Sequence, residues 1–224
     1  MIMLKGLLAT ALLLSLSLAH AGVIVGGTRV IYPEGKKETA LSVTNPDKHS
    51  YLIQSWVDAD EASGKKAPFI ITPPLFRLGA DEENSLRIIY TSSGLPDDRE
   101  SMYWMNIKTI PATPEQENTN TLQIAIKTRI KLIYRPKGLT ESPESAAQQL
   151  SWQRNGQTLN VTNSSPYYMN FSIVKIGASM VKDATYVAPK SSAHFTIPAG
   201  ATGDVSWALI SDYGSTGSEH RSHL

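Results

Sequence analysis

The chain has 224 residues, with 21 Lys+Arg against 20 Asp+Glu and no cysteine. A near-neutral chain without a block of like charges carries no basic footprint for nucleic acid. The missing thiols exclude a disulfide framework, an iron–sulfur cluster, a thiolate zinc site and a cysteine nucleophile, so the fold must stand on its apolar core.

Residues 1–21 read as a secretory signal. Lys5 supplies the positive start, residues 7–18 an apolar run, and Ala19-His20-Ala21 a small-x-small cleavage site. A run of about a dozen residues falls short of the roughly 20 that span a bilayer, which sets aside a membrane anchor. No later segment is apolar enough to span, and cleavage before Gly22 removes Lys5 and leaves acids and bases in balance.

From there the chain alternates between short runs rich in Val, Ile, Tyr and Thr and clusters of turn residues. Strands are predicted over residues 23–32, 38–44, 51–57, 69–72, 85–90, 101–108 and 122–134, with turns at Pro33-Glu34-Gly35, Asn45-Pro46-Asp47 and Gly94-Leu95-Pro96. Their number and spacing point to an antiparallel sandwich. Residues 135–149, with Pro136, Gly138 and Pro143, read as a linker containing one short helical turn at 144–149. Further strands at 157–162, 167–176, 184–188, 193–197 and 204–211 build a second, smaller sandwich. The tail 214–224 has no apolar pattern and is given no role.

One strand differs from its neighbours. From Leu122 the residues Ile124, Ile126, Thr128, Ile130, Leu132 and Tyr134 share a face, while Lys127, Arg129, Lys131, Ile133 and Arg135 share the other. At about 3.4 Å per residue it would run roughly 45 Å, more than one small sandwich covers. Two readings fit: an apolar face that is all core and broken by a bulge, or a first part that projects as an exposed edge. Such an edge invites another strand, and each side chain buried there contributes about 1.5–3 kcal/mol.

The sequence resembles the periplasmic chaperones of the chaperone–usher pilus pathway, the PapD-like family, in its type 1 fimbrial branch. The resemblance covers residues 22–214. It rests on Gly27-Thr28-Arg29-Val30-Ile31-Tyr32-Pro33, Tyr51-Leu52-Ile53-Gln54-Ser55-Trp56, Thr72-Pro73-Pro74-Leu75-Phe76-Arg77-Leu78, Asp98-Arg99-Glu100-Ser101 with Trp104-Met105-Asn106, Ile130-Lys131-Leu132-Ile133-Tyr134-Arg135-Pro136, and Asp212-Tyr213-Gly214.

The resemblance implies an all-β chain of two immunoglobulin-like sandwiches set at an angle like a boomerang, residues 22–140 and 141–224, with a cleft between them. Arg29 and Lys131, which alone would read as solvated cations, become the anchor for a pilus subunit's C-terminal carboxylate. Leu122, Ile124 and Ile126 become donor residues that fill a subunit's groove, with the anchor fixing their register. Glu100, Arg135 and Asp212 become a structural cluster holding the two domains. The implied partners are pilus subunits, a tip adhesin and an outer-membrane usher, with a self-capping dimer in their absence. Ile133 stands where relatives usually carry an aromatic residue, and the short 111–121 loop resembles the branch that assembles rod-like pili.

No catalytic constellation is legible. His49, His194, His220 and His223 pair with no nucleophile, and the His220/His223 pair lacks a third metal ligand. The glycines at 22–27 precede no Lys-Ser or Lys-Thr, so neither ATP nor another cofactor is expected. The N-x-S/T triplets at Asn160, Asn163 and Asn170 are discounted as chance. The expected function is ATP-independent chaperoning of pilus subunits in the periplasm. The alternative is a secreted Ig-like adhesion or carbohydrate-binding module, which two sandwiches alone equally permit.

Overall fold

The computed structural model describes residues 22–59, 66–91, 94–112 and 122–224; the signal segment and most of the 111–121 loop lie outside the described residues. The first half contributes strands β1 (Ile24–Val25), β2 (Arg29–Pro33), β3 (Thr39–Asn45), β4 (Tyr51–Asp58), β5 (Phe69–Thr72), β6 (Leu75–Leu78), β7 (Glu82–Tyr90), β8 (Ser101–Pro111) and β9 (Ile126–Arg135). They form one sheet in the order β1-β3-β7-β5 and a second in the order β2-β9-β8-β4-β6. Alternation along each strand sends one set of side chains between the sheets. Val43, Ile53, Leu78, Leu86, Ile88, Met105, Ile107 and Leu132 are fully buried there. At one end Tyr32, Phe69, Tyr90 and Tyr134 pack ring on ring, with Tyr90 and Tyr134 centroids 5.1 Å apart.

A short helix α1 (Pro143–Ala146) and a 3-10 turn (Ala147–Gln149) connect the halves. Ser142 caps the helix by accepting from the Ser145 N–H at 3.1 Å, and Pro143 at its start loses no bond that a first-turn residue would make. The second half holds β10 (Ser151–Asn155), β11 (Thr158–Asn163), β12 (Met169–Ile176), β13 (Ser179–Met180), β14 (Tyr186–Val187), β15 (Ser191–Thr196), β16 (Val205–Ile210) and β17 (Thr216–Ser222). One sheet runs β10-β11-β15; the other runs β13-β12-β16-β17, with β14 also paired to β12. Trp152 and Trp207, 5.2 Å apart, sit at the centre of this second core.

Three expectations need correction. The run 23–32 is not one strand: β1 pairs with β3 in one sheet and β2 with β9 in the other. The break falls at Gly26-Gly27-Thr28, where a Cβ on Gly26 would stand 2.1 Å from the Ser42 hydroxyl oxygen. The long strand begins at Ile126 and not at Leu122: its last pair with β8 is Thr109–Ile126, and beyond it Ile110 and Pro111 of β8 pair only with β4. The tail 214–224 is not without structure: β17 pairs with β16, and the His220 ring stacks on Trp207 at 5.6 Å. Strands β6 and β10 were also absent from the sequence reading; both are short edge strands, β10 mostly exposed and β6 with only Leu78 buried.

Candidate functional site

The sheet switch between β1 and β2 creates the site. Strand β9 has β8 along one side for its whole length, but β2 joins its other side only from Lys131 onward. Among the described residues, no strand pairs that side from Ile126 to Ile130. The backbone groups of that stretch form an open edge where β9 runs past the start of β2. The side chains there continue the core-facing row of Ile130 and Leu132 but overhang the end of the sandwich. Leu122, Ile124 and Ile126 are 88%, 63% and 57% exposed, whereas Ile130 is 6% exposed. The overhang borders a groove of about 440 Å³ that is also lined by Tyr51, Thr109 and Val23. The exposed-edge reading of this segment therefore holds, and the all-core reading fails for its first part.

Two cations close the open edge. Strands β2 and β9 run parallel with Arg29 opposite Lys131, and directly opposed residues of a pleated pair project from the same face. Their proximity is therefore a product of register. Burial, and then the neighbouring Arg29 charge, pull the Lys131 ammonium down to about 8. Burial likewise pulls Arg29 below its ordinary value, against the raising effect of Asp212. The second domain wraps the pair. The Lys131 ammonium donates to Asn170 Oδ1 and lies 4.5 Å from the Tyr186 ring centre. Arg29 Nη1 donates to the Ile210 carbonyl at 3.2 Å, while its buried Nε has no hydrogen-bond partner among the described residues. Two adjacent cations, one with a donor unspent, form a site for an anion with two acceptor oxygens.

Behind the cations an ion cluster joins the domains. Arg135 grips Asp212 with two bonds, Nη1 to Oδ2 at 2.5 Å and Nη2 to Oδ1 at 2.8 Å, and its Nε donates to Glu100 Oε1 at 2.7 Å. The other Glu100 oxygen accepts the Tyr168 N–H at 2.8 Å, and the Glu100 N–H donates to the Pro166 carbonyl at 2.9 Å. Burial pulls the Arg135 guanidinium down, but its bonds to Asp212 and the charge of Glu100 more than offset this and keep it protonated. Burial pushes the Glu100 carboxyl up, opposed by Arg135 and the Tyr168 N–H. A cavity of about 180 Å³ between the domains is lined by Arg29, Ile133, Arg135, Tyr168 and Asp212. Ile133 is buried and lines this cleft.

All eight residues singled out in the sequence thus fall on one continuous feature. Leu122, Ile124 and Ile126 form the overhang, Arg29 and Lys131 its end, and Glu100, Arg135 and Asp212 the joint behind it. Asn170, Tyr186 and Trp104 surround the Lys131 ammonium. Trp104 entered the sequence reading only within a family motif and Asn170 only as a discounted N-x-S/T triplet, neither as a neighbour of Lys131, and Tyr186 not by name. Among the described residues no group of His, Asp and Glu is placed to hold a metal, and no helix is long and apolar enough to cross a membrane.

An open strand edge that ends at a cation pair, with an ion-bridged joint behind it, is the geometry a two-domain immunoglobulin-like protein needs to receive another chain's strand. The chain belongs to the PapD family of pilus-assembly chaperones. Residues 22–140 match the N-terminal domain model for pili and flagellar-assembly chaperones, and residues 145–221 match the C-terminal domain of the pili assembly chaperone PapD. It is 47% identical over 202 residues to the chaperone protein FocC of Escherichia coli, covering 88% of each chain. It is 42% identical over 217 residues to the chaperone protein FimC of E. coli strain K12, covering 95% of this chain and 89% of that one. Among solved structures, the SafB chaperone of Salmonella enterica, determined in complex with the SafA pilin, superposes with a TM-score of 0.85 at 36% identity, covering 93% of this chain and 99% of that one. The E. coli chaperone DraB gives 0.81 at 37% identity over 90% and 96%. These relatives are chaperones, and the alternative of an adhesion or carbohydrate-binding module is set aside.

Proposed function

We propose that the chain is an ATP-independent periplasmic chaperone that captures pilus subunits, tip adhesin included, by strand addition and passes them to an outer-membrane usher. The observation that carries this reading is the coincidence of the open β9 edge with the Arg29–Lys131 pair at its end. A client strand lying along Ile126 to Ile130 occupies the line that β2 would take if it were longer. A client carboxylate then meets Arg29 and Lys131 only if that strand runs parallel to β9, with its C-terminus toward β2. From Ile126 to Lys131 the strand advances about 17 Å at about 3.3 Å per residue, so pinning the carboxylate sets which client side chain meets which donor residue. A charge-assisted bond to each cation contributes about 1.5–3 kcal/mol, comparable to burial of one donor side chain.

Without a client, a second copy of the chain can cover the same edge, giving a dimer whose population follows concentration. Co-expression with a pilus subunit tests the main reading. Arg29→Ala and Lys131→Ala proteins are expected to fold and remain soluble while subunit complexes fail to accumulate. Wild-type complex yield from both variants would remove the anchor from the account.

A further inference from the structure

We propose that the chain's own N-terminal segment, residues 22–28, is an alternative occupant of the open edge, a built-in cap that a client must displace. The proposal rests on the strand-addition reading and adds a regulatory contact to it. In the structure β1 is held in the opposite sheet by two residue pairs, Ile24–Thr44 and Val25–Val43, and by the Gly26 N–H to Ser42 carbonyl bond at 2.9 Å. The sequence from Val23 to Tyr32 is β-prone throughout except at Gly26-Gly27, where the chain leaves one sheet for the other.

Straightening those glycines extends β2 backward along β9 in the register that Arg29–Lys131 already sets. Thr28 then falls opposite Ile130, Gly26 opposite Thr128, Ile24 opposite Ile126 and Gly22 opposite Ile124. The route is short, because Gly22 and Val23 already line the groove that Ile124 and Ile126 form. The exchange has gains and losses on both sides. Val23 and Val25 give up partial packing on the first core. In return Ile24 and Ile126, 54% and 57% exposed as the chain stands, cover one another. The backbone of the Ile126–Ile130 edge gains partners, and β3 loses its two pairs with β1 and the Gly26 bond at Ser42. Two places for one segment, each with its own strand partners, make a two-state element that a client strand can bias.

Gly26 sets the balance. Its bare Cα lets the chain approach Ser42; a methyl there would meet the Ser42 hydroxyl oxygen at 2.1 Å and the Ser42 carbonyl oxygen at 3.2 Å. The hydroxyl can rotate away but the carbonyl oxygen cannot, and that contact exists only with β1 in the opposite sheet, so Gly26→Ala tilts the balance toward the capped arrangement.

The test uses engineered disulfides, which are clean because the chain has no cysteine. Ile24→Cys with Ile126→Cys reports the capped arrangement, and Ile24→Cys with Thr44→Cys the open one. Each protein is purified without client and oxidised with and without a synthetic pilin C-terminal strand peptide. The first pair is expected to cross-link without peptide, less so with it, and more when Gly26→Ala is added. Oxidising the second pair is expected to tighten peptide binding at least about threefold, reversed by reductant, as removal of a competing state requires. Failure of the first pair to cross-link, or unchanged affinity on locking the second, overturns the cap. The anchor variants leave the cross-link unaffected, so failure of the cap and failure of the anchor are distinguishable.

Discussion

If Lys131 carries the client carboxylate, as proposed, its lowered basicity makes client-tail binding depend on pH in a range where few other groups change charge. In the free protein the ammonium loses its proton near pH 8, because burial and Arg29 both disfavour the charge. A bound carboxylate supplies the missing counter-charge and returns the group toward its ordinary 10.5 or above. The bound state therefore holds the proton more tightly than the free state. Affinity is at full strength below pH 8 and declines as pH rises, by up to tenfold per unit, until the bound value is reached. Between pH 7 and pH 9.5 the expected weakening is roughly thirtyfold, the product of one and a half such units. Titration calorimetry of a free-acid pilin tail peptide against the chaperone, repeated with the C-terminal amide, measures it. The amide is expected to bind weakly at every pH. Lys131→Arg is expected to flatten the profile, since a guanidinium does not titrate in this range. A wild-type profile that is flat between pH 7 and pH 9.5 would refute the argument, for it would mean that the lysine does not carry the carboxylate.

Position along β9 decides what a charge does there. Ile124→Asp, on the overhang, is expected to leave the unfolding midpoint within about a degree of wild type, as exposed substitutions do, and to abolish subunit capture. Ile130→Asp, on the same face but in the core, is expected to prevent folding by burying an unpaired carboxylate. Circular dichroism melts beside pull-down of a co-expressed subunit separate the two; an unfolded Ile124→Asp protein would return that residue to the core. In the second domain, His220→Ala removes the ring stacked on Trp207 and is expected to cost about 1 kcal/mol in urea denaturation. No loss at all would mean that β17 adds nothing to that core.

Alternation along residues 122–134 was legible because side-chain period depends only on the chain's own pleat. Where the strand starts was not, because that depends on where the pairing with β8 ends, and Leu122 and Ile124 keep the same period outside any ladder. The sheet switch at Gly26-Gly27 left a signal that was passed over: two glycines inside an apolar run mark a bend or a close approach, here onto Ser42. Strand β17 left almost none. An edge strand of Thr, Gly, Ser, Glu, His and Arg needs no apolar face, and only His220 touches the core. The adjacency of Arg29 and Lys131 follows from parallel pairing between strands at opposite ends of the first domain. No local spacing encodes that pairing, and the two residues came into view only through family resemblance.

The cation pair and the ion cluster are one device, and Asp212 shows why. It touches neither Lys131 nor the open edge, yet it clamps Arg135, which follows Ile133 and Lys131 on the outward row of β9. Asn170 and the Ile210 carbonyl, which hold Lys131 and Arg29 in place, both belong to the second domain. Replacing Asp212 by Ala has two opposing consequences. It removes a negative charge felt by Arg29, which makes the site more positive and favours an anion. It also leaves Arg135 with Glu100 alone and loosens the joint that aligns Asn170 and the Ile210 carbonyl with the cations. The sign of the change in tail-peptide affinity tells which matters more. Because a carboxylate bound by two fixed donors loses most of its advantage when the donors drift by about an ångström, the alignment effect is expected to win and affinity to fall about tenfold. Tighter binding in Asp212→Ala would instead mean that the cleft acts through its field alone and that the ion cluster serves only to hold the domains together.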